Sequence, residues 1–349
     1  MINKVSIRNY KCLRDVQIEL ERFTVFVGPN ASGKSSILQA IDVLCRAFRS
    51  QNLNVDGELV QAMSRGSKDS IELAAVAGGQ WYRYRTRSTA TQIPHLGPPK
   101  KWLGEGRGIA SNLDSNDWKQ WNVGPSGGNP LPLSALLRLE ASKLIQPYPA
   151  VNANSTDMAS DGTGLHSALA NMALNDPDSW QQLQTDLRRI IPTIRRLRHT
   201  KAAINQHAAL LFDTLGADSL PANQVSEGTL LVLGLLTALH APDRPSLVLL
   251  DDLDRGLHPR AQKELISLLR GLLDTNPDLQ IIATTHSPYM LDCMETNEVR
   301  MTFLRDDGAT VCADLVSHPK FEKWKDEMTP GEMWSLFGEK WLVEQGAAP

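Results

Sequence analysis

The sequence predicts an α/β protein: a mixed sheet carrying a glycine-rich phosphate loop, an antiparallel β-subdomain near the N-terminus and a helical insertion at about 130–195. Three observations predict it. The charge-free run Phe23–Val27 leads straight into GPNASGKSS and then ILQAIDVLCRAF, where Ile37, Leu38, Ile41, Leu44 and Cys45 share one helical face. A second apolar run, Leu247–Leu250, ends in the carboxylate pair Asp251-Asp252. A third ends at Thr284, just ahead of His286. Short charge-free strands that alternate with amphipathic helices belong to a parallel sheet covered by helices.

Composition sets the bounds. At about 150 residues per domain, 349 residues allow roughly two domains, or one with a large insertion. Hydrophobic residues are 42% and charged residues 21%, which excludes wholesale disorder. The net charge of −3 excludes a globally basic nucleic-acid coat and leaves local basic patches open. Cys12, Cys45, Cys293 and Cys312 lie far apart, without CxxC or Cys/His spacing, so neither a disulfide framework nor a zinc site is expected. The opening MINKVSIRNYK lacks a signal peptide's apolar core, and the longest apolar run, 230–239, is too short to cross a bilayer. The expectation is a soluble cytoplasmic protein with no membrane partner.

Along the chain, alternation at Val5/Ile7 and Val16/Ile18/Leu20 predicts two short strands before Phe23–Val27. A second strand set follows at 71–76 and 81–87. From 91 to 130 the composition turns to Gly, Pro, Trp and Asn, which predicts a long irregular excursion. Helices are expected at 133–143, 165–174 and 179–190, and a strand pair within 194–212. A helix should begin near Ser226, followed by the strand 247–250, a helix over 259–273 and strands at 279–284, 299–304 and 310–315. No internal repeat is present.

The chemistry sits at the ends of these strands. Gly28, Pro29, Asn30, Ala31, Ser32, Gly33, Lys34 and Ser35 satisfy G-x-x-x-x-G-K-[ST]. The glycines let backbone amides curl around phosphates, Lys34 gives a point charge to β and γ oxygens, and Ser35 gives a hydroxyl to Mg²⁺. Asp251, at the tip of a buried strand, is placed to hold Mg²⁺, and Asp252 to orient or deprotonate an attacking water. His286 follows another such strand and can reach the γ-phosphate end. Ser226, ahead of Glu227-Gly228-Thr229, reads both as a plain N-cap and as part of an anion site at a helix N-terminus.

Gly28 to Ser36, Ser226 to Thr229, Leu247 to Pro259 and His286 resemble, in order and spacing, ABC-type ATPases of the RecF/SMC-like branch, nearest to the ATPase domain of OLD-family (overcoming lysogenization defect) and related AAA-type proteins. VSIRNYKCLRDVQIEL, DDLDRGLHPRAQ and ATTHSPYML are similar to that branch's opening, acidic-pair and switch-histidine segments. The resemblance implies a P-loop NTPase fold in which 1–90 and 220–317 are two halves of one ATPase domain, 91–219 is an inserted arm or lid and 318–349 a tail. It implies ATP and Mg²⁺ as ligands and two subunits paired head to tail. Ser226 and Gly228 would then bind the γ-phosphate of the partner's nucleotide, while Asp252, His286 and Lys34 carry out hydrolysis. The implied role is DNA maintenance or anti-phage defence. The 32 residues after Ser317 are too few for the TOPRIM nuclease of OLD proteins, so a separately encoded effector is expected.

There are departures. Asp252 stands where many relatives have Glu, one methylene longer, and the signature is Ser-Glu-Gly-Thr rather than the transporter-type Ser-Gly-Gly-Gln. Gln61 is the one weak candidate for a Q-loop glutamine. Two basic clusters, Arg83/Arg85/Arg87 and Arg188/Arg189/Arg195/Arg196/Arg198/Lys201, fit DNA-backbone contact or simply a solvated or subunit-pairing face. Trp324, Trp334 and Trp341 either pin a terminal helix or form a docking surface. Three rivals to an ATP-hydrolysing switch stand: a nucleotide-gated scaffold with little hydrolysis, a nuclease using Asp251, Asp252 and Asp254, and a transporter ATPase.

Overall fold

The structure is a computed structural model, and it describes residues 1–49, 70–87, 97–105, 119–120, 131–146, 148–149, 158–201 and 207–345. Gln61 lies outside them. In chain order the elements are β1 (Ile2–Tyr10), β2 (Leu13–Glu19), β3 (Phe23–Val27), α1 (Lys34–Arg49), β4 (Glu72–Ala77), β5 (Gln80–Arg87), β6 (Gly97–Glu105), β7 (Lys119–Gln120) and β8 (Ser134–Leu137). There follow α2 (Ala141–Leu144), β9 (Tyr148–Pro149), α3 (Leu165–Asn175), α4 (Pro177–Ile190), β10 (Ile194–Lys201), β11 (His207–Thr214), β12 (Leu220–Pro221) and α5 (Glu227–His240). The remainder is β13 (Leu247–Leu250), α6 (Pro259–Thr275), β14 (Gln280–Thr285), α7 (Pro288–Leu291), β15 (Val299–Leu304), β16 (Thr310–Asp314), α8 (Phe321–Trp324), α9 (Pro330–Phe337) and α10 (Trp341–Gln345). Backbone contacts divide the chain into one unit of residues 1–136, 246–251 and 278–349 and a second of 137–245 and 252–277.

The first unit holds two sheets. One is antiparallel, ordered β2-β1-β4-β5-β6-β7; the other is mixed, ordered β16-β15-β3-β14-β13-β8. In the mixed sheet β15, β3, β14 and β13 run parallel, with Val25 opposite both Ala283 and Val299. Helix α1 lies between the sheets. Its Ile37, Leu38, Ile41, Leu44 and Cys45 are buried in one core with Ile7, Leu73 and Tyr84 of the antiparallel sheet and Leu249 and Ile282 of the mixed one. Gln280 clips the two sheets together: its amide accepts from the Ile2 N–H at 2.9 Å and donates to the Ile2 carbonyl at 2.7 Å. Being buried, those groups would otherwise be left unsatisfied.

The second unit is helical, with a small sheet ordered β10-β11-β12 and β9 paired to β11. Pro177 starts α4 and Asp176 caps it, accepting from the Ser179 N–H at 3.1 Å. Helix α5 is apolar nearly all round and correspondingly buried. Asp186 of α4 meets His240 at the end of α5 at 2.9 Å.

Two stretches differ from the sequence expectation. Residues 133–143 form a strand and a single helical turn, because β8 joins the mixed sheet beside β13, where the Leu133 carbonyl accepts from the Leu247 N–H at 2.9 Å. Four residues, three of them apolar, cannot distinguish strand from helix by periodicity. Within 91–130, β6 and β7 extend the antiparallel sheet. Pro98 and Pro99 at the start of β6 conceal it from a pattern search, since proline cannot donate to a ladder, and the register shifts there, between Arg85 and Arg87. No helix among the described residues is long and apolar enough to cross a membrane.

Candidate nucleotide-binding site

The phosphate loop is built by close approach. Gly28 has φ +153°, and a Cβ there would lie 2.1 Å from the Thr302 carbonyl oxygen on β15. Gly33 has φ +99°, and a Cβ would lie 2.4 Å from the Thr310 hydroxyl on β16. Between them Ala31 takes the left-handed conformation at φ +63°, a cost accepted where the surroundings over-determine the backbone. Ser32 Oγ bonds Thr302 Oγ1 at 2.7 Å, and Thr302 in turn donates to the Val27 carbonyl at 3.2 Å. The loop is thus moulded on β15 and β16 as well as on its own strand. The buried Lys34 turns its ammonium back onto the loop, donating to the carbonyls of Gly28 at 2.8 Å and Pro29 at 2.9 Å. The Ile37 N–H closes the first turn of α1 on the Gly33 carbonyl at 3.0 Å. Cys12 donates to the Ser36 hydroxyl at 3.8 Å.

Beside the loop stands Asp251. Ser35 Oγ donates to Asp251 Oδ1 at 2.9 Å, and Thr284 Oγ1 donates to the same oxygen at 2.9 Å. The parallel pairing of β13 with β14 brings Thr284 next to Asp251, though 33 residues separate them. A hydroxyl and a carboxylate are the oxygen donors that a hard cation such as Mg²⁺ accepts. Among the described residues no group of three or more His, Cys, Asp and Glu could hold a metal. A Mg²⁺ here would therefore complete its shell with phosphate oxygens and water, its usual habit.

His286 follows the last residue of β14 and is half-buried. The next residue is anchored: the Ser287 N–H donates to Thr285 Oγ1 at 3.1 Å, and Thr285 contacts Met290 Sδ at 3.6 Å.

In the second unit, Asp252 is exposed and left-handed at φ +54°. It opens a tight turn in which the Arg255 N–H donates to its carbonyl at 3.0 Å. Ser226 caps α5, its hydroxyl accepting from the Thr229 N–H at 3.3 Å. Gly228 packs face to face with Gly256: a Cβ on Gly228 would lie 2.2 Å from the Gly256 carbonyl oxygen. Glu227 pairs with Arg255 at 2.7 Å across the same contact. Ser226 therefore is a true cap, and Gly228 is required by a contact within its own unit, whatever else approaches it.

Three arginines of the basic clusters meet carboxylates. Arg83 reaches Glu72 at 2.6 Å, Arg189 reaches Glu264 at 3.2 Å, and Arg198 reaches Asp213 at 2.6 Å, holding the Asp213 carboxyl below the usual carboxylate range. Arg195 and Arg196 are exposed. The side chains of Arg87 and Lys201 lie outside the described residues. Trp341 is buried, with its ring edge-on to His318 at 5.0 Å, so this tryptophan pins a helix. The participants that sequence reading missed are threonines: Thr284, Thr302 and Thr310. Their one signal is position on strands beside the phosphate loop, which exists only once strand order is known.

Comparison with known proteins agrees with this geometry. Residues 1–75 match the family described as "AAA ATPase domain", and residues 145–292 the family described as "AAA domain, putative AbiEii toxin, Type IV TA system". The chain is 23% identical to an OLD nuclease of Thermus scotoductus, covering 89% of this chain and 64% of that protein. It is 46% identical over 66 residues to a Septu protein, PtuA, of Bacillus thuringiensis, covering 19% of this chain and 16% of PtuA. It is 24% identical to the DNA replication and repair protein RecF of Acinetobacter baumannii, covering 78% and 88% of the two chains. In fold it resembles an Smc head crystallised with the C-winged helix domain of ScpA, with TM-score 0.60 and 17% identity over 92% of this chain and 99% of that one. An Smc head of Pyrococcus furiosus aligns with TM-score 0.56 and 14% identity over 93% and 99%. With its phosphate loop, acid-tipped strand and paired sheets, this chain carries matches to two AAA-type ATPase domain families and is similar to ABC-type ATPases of the RecF/SMC-like branch and to an OLD nuclease.

Proposed function

We propose that the chain binds and hydrolyses ATP as a molecular switch, two copies pairing head to tail around nucleotide. The observation that carries this is the convergence of Ser35 and Thr284 on one oxygen of Asp251 beside a phosphate loop moulded on β15 and β16. Amides of residues 28–36 and the N-terminus of α1 bind the β- and γ-phosphates. Lys34 exchanges its loop carbonyls for phosphate oxygens. Ser35 and Asp251 would hold Mg²⁺, whose charge would offset that of the phosphates. Thr284 fixes the Asp251 rotamer by its hydrogen bond. Asp252, one peptide bond further, orients or deprotonates the attacking water, and His286 reaches the γ-phosphate end. Ser226 and Gly228 close on the partner's nucleotide. In this reading 1–90 and 220–317 form the ATPase domain, and 91–219 is the arm or lid that reports the trigger.

The setting we infer is cytoplasmic anti-phage defence or DNA maintenance with a separately encoded effector such as a nuclease. The matches to an OLD nuclease, a Septu protein and RecF support it. DNA is a candidate trigger. Phosphate release in Mg-ATP tests the core of the reading. Lys34→Ala should abolish nucleotide binding, and Asp252→Asn should retain binding while lowering turnover at least 100-fold, the order of a lost general base. Equal turnover in wild type and Asp252→Asn contradicts the assignment. A nucleotide-gated scaffold is the second reading, favoured by the short, left-handed Asp252. Tight ATP binding without turnover would select it.

A further inference from the structure

We propose that helix α9 is a clamp on the His286 turn, with Gly331 and Asp292 as positioning residues for hydrolysis; this rests on the ATPase reading above. The turn that carries His286 runs into α7, a helix of four residues. So short a helix has almost no stability of its own, so what packs on it sets its place. From within, Thr285 holds the Ser287 N–H, and Met290 and Leu291 are buried. From without, the first turn of α9 lies directly on α7. The Gly331 N–H donates to Asp292 Oδ1 at 3.0 Å. A Cβ on Gly331 would stand 2.2 Å from the Pro288 carbonyl oxygen and 2.4 Å from Asp292 Oδ1. Only glycine allows so close an approach, and Pro288 is two residues from His286.

The clamping end of α9 is itself firmly made. Thr329 caps it, Pro330 starts it, and Glu332 completes a capping box by returning to the Thr329 N–H at 2.9 Å. Met333, on the next turn, is 1% exposed. The carboxylate of Asp292 meets a helix N-terminus, where negative charge is favoured. Whatever tilts or lifts α9 therefore moves the Pro288 carbonyl, and with it the chain that presents His286. This makes α9 the place where an event outside the nucleotide site is able to slow or release hydrolysis without touching nucleotide.

The test is a mutant cycle in kcat and nucleotide affinity with Gly331→Ala, Asp292→Ala, Asp292→Asn and His286→Ala. Gly331→Ala and Asp292→Ala should each lower kcat roughly tenfold, the scale of a small misplacement of a reacting group, with nucleotide affinity unchanged. Asp292→Asn, which keeps an oxygen acceptor, should restore most of the rate. In a His286→Ala background neither substitution should lower kcat further, because they act through His286. If both lower kcat by the same factor with and without His286, or if affinity falls with the rate, α9 is a structural support only and the proposal is overturned. If wild type binds ATP without turnover, the ATPase reading itself fails and the clamp falls with it. If Gly331→Ala does not fold, the Asp292 pair decides alone.

Discussion

Two glycine-bearing turns precede helices in this protein, and they need glycine for different reasons. Gly28 and Gly33 combine backbone angles that L side chains rarely adopt with backbone and side-chain atoms of β15 and β16 within 2.1–2.4 Å of where a Cβ would stand. Gly228 has no left-handed angle; what excludes a side chain there is the carbonyl of Gly256, 2.2 Å from the Cβ position. The phosphate loop is shaped by the strands behind it, the signature by a turn of its own unit. A glycine in a nucleotide-binding signature is thus no proof of approach by nucleotide.

Substitutions can break that comparison. Gly28→Ala should cost most, about 3 kcal/mol or more, since strain and overpacking add. Thr302→Ala should not rescue it, because the obstructing atom is a backbone carbonyl. Denaturant unfolding of both variants measures this, and rescue would show that the side chain is the obstacle. Gly228→Ala should cost less, about 1–2 kcal/mol, the overpacking being offset by roughly 1 kcal/mol of helix propensity. No loss of stability would remove the Gly228–Gly256 contact from the account. Gly78 has φ +57° with nothing within 4 Å of a Cβ, so Gly78→Ala should show strain alone, about 1 kcal/mol.

The second unit holds two histidines whose burial sets how they meet acid. His166 is buried, and that burial, with His199 nearby, depresses it from 6.5 to about 4. The unfolded chain takes up the proton first as pH falls. Stability should therefore drop between about pH 6.5 and 4, by at most ~1.4 kcal/mol per pH unit for this one group. His199 is lowered in the same direction, mainly by burial. Denaturation midpoints from pH 7 to 4 measure the slope, and His166→Leu should flatten it. An unchanged slope would assign the acid sensitivity elsewhere.

Much of the site was legible because its chemistry is local in sequence. The loop from Gly28 to Ser36 lies between a buried strand and an amphipathic helix, and Asp251 ends a run of four apolar residues. What the sequence concealed depends on strand order. Thr284 reaches Asp251 across the β13–β14 pairing, and Thr302 and Thr310 back the loop only because β15 lies beside β3 and β16 beside β15. No periodicity reports a sheet neighbour. Strand β6 was hidden by its two prolines, and β8 by being four residues long. The arginines read as a basic face on Arg83 and Arg198, yet each meets a carboxylate of the neighbouring strand, Glu72 and Asp213.

The central claim is a composite site that ATP closes between two copies. Size-exclusion with light scattering of wild type and Asp252→Asn, each with and without Mg-ATP, tests it most directly. The account predicts monomer without nucleotide, dimer with it, and a dimer that persists in Asp252→Asn because release is blocked. A mass that ATP leaves unchanged in both proteins would contradict it.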